Sequence, residues 1–592
     1  MSEYNAPLDD IKFVVKHLVD FAKIQEKSAN DNLDWDVLDA VLEEAAKLSK
    51  NVLAPLNMVG DTQGSRIEDG KVITPDGWKE AYKAVTDGGW IGLGCSEEFG
   101  GQGFPETIAG TVSEMFQSAN LAFSLWPLLN QGGGNAIENH ASQALKDLYL
   151  PKMFSGEWTG TMNLTEPQAG SDLAAVRTKA VPNGDHYLIS GSKIFISYGD
   201  HDMADNIVHL VLARTPDAPE GVRGISLFIV PKILVNEDGS LGQPNDLRAV
   251  SLEHKMGIHA SPTCVMAYGD NDGAIGYLVG EENRGLEYMF VMMNRARFEV
   301  GMQGVSLSER AYQHALAYAK DRVQGVPFNG KPGDTIIKHP DVRRLLMHMK
   351  SQTQAMRALT YLGGALLDLA HLESNETRQK DYQGEAEFLT PIIKAWCTER
   401  GQEMTSLGVQ IHGGLGFIEE TGAAQYYRDA RITTIYEGTT AIQANDFAFR
   451  KTLRDEGATA RRLLSKWEGE VKAISDPALQ VNKEKVLKSL GYCATALDLL
   501  KKRAAANPAQ IASTAVAYLD IWGYTIGAYL MVKSAAIAQQ ELTAADSNKP
   551  FLTAKIACAD FYITHILPQA EANLSIVMDG VDAVWGLSDD QF

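Results

Sequence analysis

Cysteine is scarce in this chain of 592 residues: there are five, an odd number, and no pair stands at C-x-x-C spacing. That argues against a disulfide framework or a cysteine-built zinc cluster. No metal is expected, and a reducing compartment, the cytoplasm, fits best. Positive charge is also short, with 54 Lys and Arg against 75 Asp and Glu and a net charge of −21. General affinity for nucleic acid needs a dense cationic footprint, so no nucleic-acid partner is expected. A local basic pocket for an anionic ligand stays open. Several motifs are missing as well. There is no G-x-x-x-x-G-K-[ST], no G-x-G-x-x-G after a strand, no H-E-x-x-H and no G-x-S-x-G. A P-loop enzyme, a standard dinucleotide fold, a zincin and an α/β-hydrolase are thereby disfavoured. The opening MSEYNAPLDDIKF has no basic and then apolar region, so it reads as neither a signal nor a transit peptide.

One apolar run is long enough to span a bilayer, IASTAVAYLDIWGYTIGAYLMV at 511–532. Asp520 sits in its middle, where an intramembrane carboxylate is costly. A buried helix, without stable membrane insertion, is therefore expected. Gly523 and Gly527 at G-x-x-x-G spacing would let that helix approach a neighbour closely.

What is present has the ordinary globular balance, 45% apolar and 22% charged. From Asp34, apolar residues recur at helical spacing: Val37, Leu38, Val41, Leu42, Ala45 and Leu48. Between about 160 and 280 the runs become short and β-rich: HYLISGSKIFISY, NIVHLVLART, GISLFIVPKILV and CVMAYG. Turn clusters such as PNGDH and NEDGS separate them, which predicts a small antiparallel β-domain. From 283 onward, long periodic segments predict a helical bundle, and further helices follow to the end. The order is α, β, α and an extra α unit, on which many functions can sit.

Three strings carry chemistry. In NLTEPQAGSDL (163–173) a Pro and a Gly shape a polar loop, with hydroxyls at Thr165 and Ser171. It reads either as a plain turn or as a loop that binds a polar ring or phosphate. In GSKIFISYG (191–199), Phe195 and Ser197 lie two apart and so share a strand face, where they are core or flank a flat cofactor. In IHGGLGFIEETGAAQYYRDARITTIYEGTTAIQ (411–443), Glu437 stands between Tyr436 and Gly438. A partly desolvated carboxylate there would gain proton affinity, as a base for a carbon acid requires. The alternative is a helix-start carboxylate.

Taken together, LTEPQAGSD, GSKIFIS, EHKMGIHASPT (253–263), the helix of Arg297, HGGLGF and YYRDARITTIYEGTTAIQ stand in one order. In that order they resemble the acyl-CoA dehydrogenase family over about residues 35–450. The ends resemble its long bacterial branch, which includes 3-methylthiopropanoyl-CoA dehydrogenase and broader fatty acyl-CoA dehydrogenases. The resemblance implies an α+β fold: a helical N-terminal domain, a middle antiparallel β-domain, a four-helix bundle and an extra helical domain. The expected limits are 1–34 for an N-terminal extension, then 35–160, 161–281, 282–452 and 453–592.

It also implies FAD, bound between β-domain and bundle and shared across at least a homodimer. By match, Met162, Leu164 and Thr165 line the flavin on one side, and Phe195 and Ser197 on the other, where the family usually has Trp and Thr. Arg322, Gln410 and Gly414 match residues that reach the neighbouring subunit's FAD, and Thr439 a phosphate contact. The family usually follows the Arg with x-x-Phe-Gly, and here it reads RVQG. Ser171 and Arg297 match CoA contacts, and Tyr436 and Gly438 flank the substrate. Glu437 matches the base that takes the α-proton of the acyl-CoA thioester while the β-hydrogen leaves as hydride. The thioester carbonyl is expected to take hydrogen bonds from a ribityl hydroxyl and the Glu437 N–H. Branches that place the base just before the bundle Arg are disfavoured by Ala296, which has no acid. His412 and Arg428 read as structural. Electron-transfer flavoprotein is the expected acceptor. An acyl-CoA oxidase is a second reading, a DNA-associated flavoprotein a distant one, and nitroalkane oxidation normally uses Asp where this chain has Glu437. Trp126, on the segment Phe123–Asn130, is a candidate floor for the acyl pocket, unless the run Gly132-Gly133-Gly134 opens room.

Overall fold

The computed structural model describes residues 3–28, 30 and 33–592. Residues 1, 2, 29, 31 and 32 of the expected N-terminal extension lie outside the described residues. The chain forms two compact units. One comprises Met1–Ala46, Pro105–Ser118 and Arg297–Phe592, the other Lys47–Phe104 and Ala119–Ala296.

In the first unit the helices are α1 (Leu8–His17), α2 (Trp35–Leu48) and α3 (Glu106–Ala119). The middle of the chain supplies α5 (Gly285–Asp321), which belongs here from Arg297 on, α6 (Pro340–Leu372) and α7 (Glu376–His412). The short α8 (Thr440–Asn445), the long α9 (Ala515–Glu541) and α10 (Lys549–Phe561) complete the set used below. Helix α4 (Leu121–His140) belongs to the other unit.

A buried charge cluster ties five of these helices. Arg357 on α6 donates to Asp10 of α1 (2.5 Å), Glu114 of α3 (2.6 Å) and Glu309 of α5 (2.8 Å). Lys555 of α10 donates to Asp10 at 2.8 Å. Such a cluster is costly to bury and costlier to break, so it fixes which helices come together.

The long apolar run forms α9, which by length and composition alone is long and apolar enough to cross a membrane. Of its most apolar window, 89% is buried within the protein. The two expected glycines have a reason to be small: a Cβ at Gly523 would overlap the Trp396 ring of α7, and one at Gly527 the Tyr562 hydroxyl. Burial raises the Asp520 carboxyl to about 6, against the pull of Arg400.

In the second unit one sheet holds eight strands. They are β1 (Trp158–Asn163), β2 (Lys179–Asn183), β3 (His186–Ser197), β4 (Asn206–Ala213), β5 (Ser226–Pro231), β6 (Leu247–Leu252), β7 (Thr263–Tyr268) and β8 (Ala274–Leu278). The order is β6-β7-β3-β8-β5-β4-β1, with β2 also paired to β3. The expectation of an antiparallel domain needs one correction: β1 and β4 run parallel, from Trp158–Asn206 to Asn163–Val211. Apolar alternation carries no strand direction. The long connection through β2 and β3 is what makes a parallel pair possible. Strands β4 and β5 are buried at every residue, as continuous apolar runs require.

Strand β3 is irregular. Its pairing with β7 slips between Cys264–Ile196 and Met266–Lys193, so β3 carries one extra residue there. Phe195 lies in this bulge at φ 61°. The slip lies on the Lys193 side of Ile196, and the exposure pattern beyond it still alternates. Ile196 between them is buried, Phe195 is 60% exposed and Ser197 half-buried.

Trp126 sits on α4, fully buried against Tyr82 and Phe123. The neighbouring glycines open no room: a Cβ at Gly132 would lie 2.9 Å from Met292, and one at Gly134 2.5 Å from Phe154.

Candidate active site

In the first unit, the segment after the 3₁₀ turn Ile432–Thr434 carries Tyr436, Glu437, Gly438 and Thr439 into α8. The Thr439 hydroxyl caps that helix by accepting the Ile442 N–H at 3.4 Å. Glu437 has φ 55° and Gly438 φ 91°, two consecutive residues in the left-handed region. Glycine takes this at little cost, but a glutamate persists there only where its surroundings hold it.

Two buried side chains do so. Gln443 of α8 donates its amide to the Glu437 carbonyl at 3.0 Å. Lys394 of α7 donates its ammonium to the Gly438 carbonyl at 2.6 Å. Both are fully buried. The Tyr436 hydroxyl donates to Gln303 of α5, and Thr440 donates to Glu399 of α7 at 2.5 Å.

Among the described residues no hydrogen bond reaches the Glu437 carboxylate. Burial raises its proton affinity above the usual carboxylate range, while Arg297 and then Lys394 pull it back. Lys394 is itself lowered to about 8 by burial, against the opposing pull of Glu437 and Glu399. Arg297 is mostly buried on α5, with Asp446 4.0 Å away. The arrangement is a carboxylate of raised proton affinity on a rigidly held loop, with two cations in range. It can accept a proton from a weak carbon acid at neutral pH. Behind it, α7 is backed by α9, through Trp396 against Gly523 and through Arg400 donating to Tyr524 at 2.7 Å.

The second unit holds the other predicted cluster. Thr161 donates to the Ser197 carbonyl at 2.7 Å, and the Ile194 N–H to the Thr165 carbonyl at 2.9 Å. Lys193, fully buried in β3, donates to the Leu164 carbonyl at 3.0 Å and to Glu166 at 2.9 Å. Glu166 is pulled down to about 2: burial works to raise it, but Lys193, Thr178 and the Arg177 N–H together overcome that. Met162, Leu164 and Thr165 are thereby locked beside the β3 bulge. A large aromatic, Phe195, stands exposed on a strand whose neighbours Lys193 and Ile196 are buried. An exposed ring next to a backbone-locked loop that carries the Thr165 hydroxyl fits a flat, polar-edged ring system such as a flavin.

The structure thus gathers Tyr436, Glu437, Gly438, Thr439 and Arg297 in one unit, and Met162, Leu164, Thr165, Phe195 and Ser197 in the other. Ser171 is exposed on the loop after Thr165. Gln410, about 24 Å along α7 from Lys394 by helical rise, and Gly414, just past the helix end, are both exposed. Arg322 is exposed as well. His412 donates its Nδ1–H to the Gly408 carbonyl (2.7 Å), and Arg428 pairs with Glu419 (2.6 Å), both structural contacts. No cluster of metal-binding side chains occurs among the described residues. Sequence reasoning missed Lys394, Gln443 and Gln303. The available signal was a lysine inside the apolar run LTPIIKAWC.

Four family models match along the chain. They are the acyl-CoA dehydrogenase N-terminal domain at 39–157, middle domain at 161–270 and C-terminal domain at 283–451, and the acetyl-CoA dehydrogenase C-terminal like domain at 463–588. A 3-methylmercaptopropionyl-CoA dehydrogenase of Ruegeria pomeroyi is 48% identical, over 98% of this chain and 99% of its own. The chain belongs to the acyl-CoA dehydrogenase family. A butyryl-CoA dehydrogenase of Syntrophomonas wolfei is 36% identical over 95% of each chain. The crystal structure of an acyl-CoA dehydrogenase from Bacillus anthracis complexed with FAD has the same fold, with a TM-score of 0.74, 22% identity and 96% and 92% coverage. Membership makes this chain an FAD-dependent oxidoreductase that dehydrogenates acyl-CoA thioesters.

Proposed function

We propose that Glu437 is the base of this dehydrogenation and that the acyl group is short, of the size of butyryl or 3-methylmercaptopropionyl. The observation that carries the first part is the environment of Glu437: a carboxylate that takes no hydrogen bond from the described residues, of raised proton affinity, on a loop held by two side chains. The full-length similarity to the Ruegeria and Syntrophomonas enzymes supports the second.

FAD supplies the hydride-accepting chemistry. The chain's own residues do the rest. Glu437 takes the α-proton onto its carboxylate, and the Glu437 N–H offers a donor to the thioester oxygen, where enolate-like charge builds. Arg297 and Ser171 are assigned to the CoA moiety. A guanidinium suits a phosphate, which reconciles an anionic ligand with a chain of net charge −21. Met162, Leu164, Thr165, Phe195 and Ser197 are assigned to the flavin ring, and Thr439 to a cofactor phosphate. Arg322, Gln410 and Gly414 are assigned to the FAD of a partner subunit in a homodimer. The exposure of Gln410 and Gly414 beside Leu415, Phe417 and Ile418, also exposed, supports that reading. Electron-transfer flavoprotein as acceptor follows from the family resemblance. A cytoplasmic location without membrane insertion is supported by five buried cysteines that form no disulfide among the described residues and by the burial of α9.

The test is anaerobic bleaching of the flavin by a panel of acyl-CoAs from short to long, with 3-methylmercaptopropionyl-CoA included. Short members are expected to bleach fastest. Glu437→Gln should keep FAD and bind thioester yet fail to bleach. A Glu437→Gln protein that bleaches normally would refute the base assignment.

A further inference from the structure

We infer that Lys394 and Gln443 are positioning residues of the dehydrogenation, acting on Glu437 through its own carbonyl and the next one along the chain; the inference rests on Glu437 being the base. The geometry is specific. Two consecutive carbonyls, of Glu437 and Gly438, are gripped by side chains from two different helices at 3.0 and 2.6 Å. Fixing both carbonyls fixes the peptide planes on either side of Gly438, one of which directly follows the Glu437 Cα, and so restrains the left-handed turn that carries the carboxylate.

A buried lysine is an expensive way to hold a carbonyl. Its ammonium loses hydration, and a glutamine would make the same bond without a charge. The charge is explained if it has a second target, and Glu437 is that target. The ionised groups facing the pair are Arg297 on α5, Glu399 on α7 beside Lys394 itself, and Asp446 just after α8. Glu399 is engaged by Thr440, and Asp446 lies toward Arg297 and Arg450. Lys394 is therefore the cation that both anchors the loop and offsets the burial of Glu437. It keeps the carboxylate available as a base at neutral pH. Gln443 contributes geometry alone.

The two roles separate in variants. Lys394→Met removes bond and charge, Lys394→Arg keeps the charge, and Gln443→Leu removes a bond but no charge. For Lys394→Met, flavin reduction by substrate is expected to slow about 100-fold, within the range of a misplaced general base. The acidic limb of its kcat/KM profile should move to higher pH, because Glu437 loses a cation that stabilised its ionised form. KM and FAD content should change little. Lys394→Arg should return the acidic limb toward that of the parent. Gln443→Leu should slow reduction about 10-fold with the limb unmoved.

A readout independent of turnover is the infrared band of the protonated Glu437 carboxyl, assigned by its loss in Glu437→Gln and titrated with pH. Its midpoint should rise in Lys394→Met and stay in Gln443→Leu. An unmoved midpoint and limb in Lys394→Met would overturn the electrostatic role. Unchanged reduction rates in both variants would overturn the positioning role. If Lys394→Met does not fold, Lys394→Gln, which can still donate to the carbonyl, carries the same electrostatic expectation. Bleaching by Glu437→Gln would instead remove the base assignment itself, so the two failures are distinguishable.

Discussion

Lys193 and Lys394 are both fully buried, both donate to a backbone carbonyl of a functional loop, and both stand near a glutamate. Both ammonium groups are pulled down to about 8 by burial. Yet Glu166 is held at about 2 while Glu437 is raised. The difference is hydrogen bonding. The Glu166 carboxylate accepts from Lys193, from the Thr178 hydroxyl and N–H, from the Arg177 N–H and from Gln168. The Glu437 carboxylate accepts from none of the described residues and feels its two cations only at a distance. Burial alone does not decide a carboxylate's proton affinity; the number of donors aimed at it does. Glu166 is a fastener, and Glu437 is left free to take a proton.

The largest effect separating them is on rate. Glu437→Gln is expected to slow flavin reduction by about 10⁴-fold, the upper range for a general base. Anaerobic stopped-flow with a short acyl-CoA measures it. Glu166→Gln should leave the pH profile of that step in place. Its cost should appear in stability instead, roughly 3 kcal/mol, because it leaves Lys193 buried without its counter-ion. Urea unfolding measures this, and the double variant with Lys193→Met should lose less than the two singles summed. The pH sign follows from the lowered value of Glu166: its contribution is complete above about 4.5 and is lost as pH falls toward about 2. An acid-stability curve for Glu166→Gln that still dropped by the same amount through that window would contradict the fastener role.

The comparison also shows what could be read from the sequence. The α, β, α order was legible because period and turn residues carry it, and the family because six strings in one order made a resemblance; the base role of Glu437 is the proposal that this resemblance carries. The parallel pairing of β1 with β4 was not, since alternation has no direction. The β3 bulge was not, since GSKIFIS reads as regular strand until its register against β7 is known. Lys394 was hidden most deeply. A lysine in LTPIIKAWC looks like a break in an apolar stripe, and only the fold brings it to a carbonyl 44 residues later. Long-range partners of single side chains are not encoded in local pattern.

A smaller effect concerns the strained residues themselves. Phe195 and Glu437 both hold positive φ, 61° and 55°. A Phe195→Gly protein should fold at least as readily, since glycine takes that backbone without strain. The lost ring should cost flavin affinity by about tenfold, the scale of one stacking contact. Fluorescence titration of the apoprotein with FAD reads this directly. Unchanged affinity would mean that the exposed ring is not a flavin platform.

The smallest expected effect runs against intuition and bears most directly on the contrast. Because the folded protein raises the proton affinity of Glu437, its ionised form is disfavoured by folding. The stability linked to this group is complete below the ordinary carboxylate value of 4.5 and is lost as pH rises through the raised one. Glutamine resembles the protonated form. Glu437→Gln should therefore be more stable than the parent at pH 7, by on the order of 1 kcal/mol, the usual size of a stability gain at a functional site. The gap should close at acid pH, where the parent is protonated too. Glu166→Gln should behave in the opposite way, least stable relative to the parent at neutral pH. Two Glu→Gln exchanges of identical chemistry, moving stability in opposite directions at pH 7 and converging in acid, would separate base from fastener without any substrate present. Movement in the same direction would mean that the loop of Glu437 is held together by its carboxylate after all.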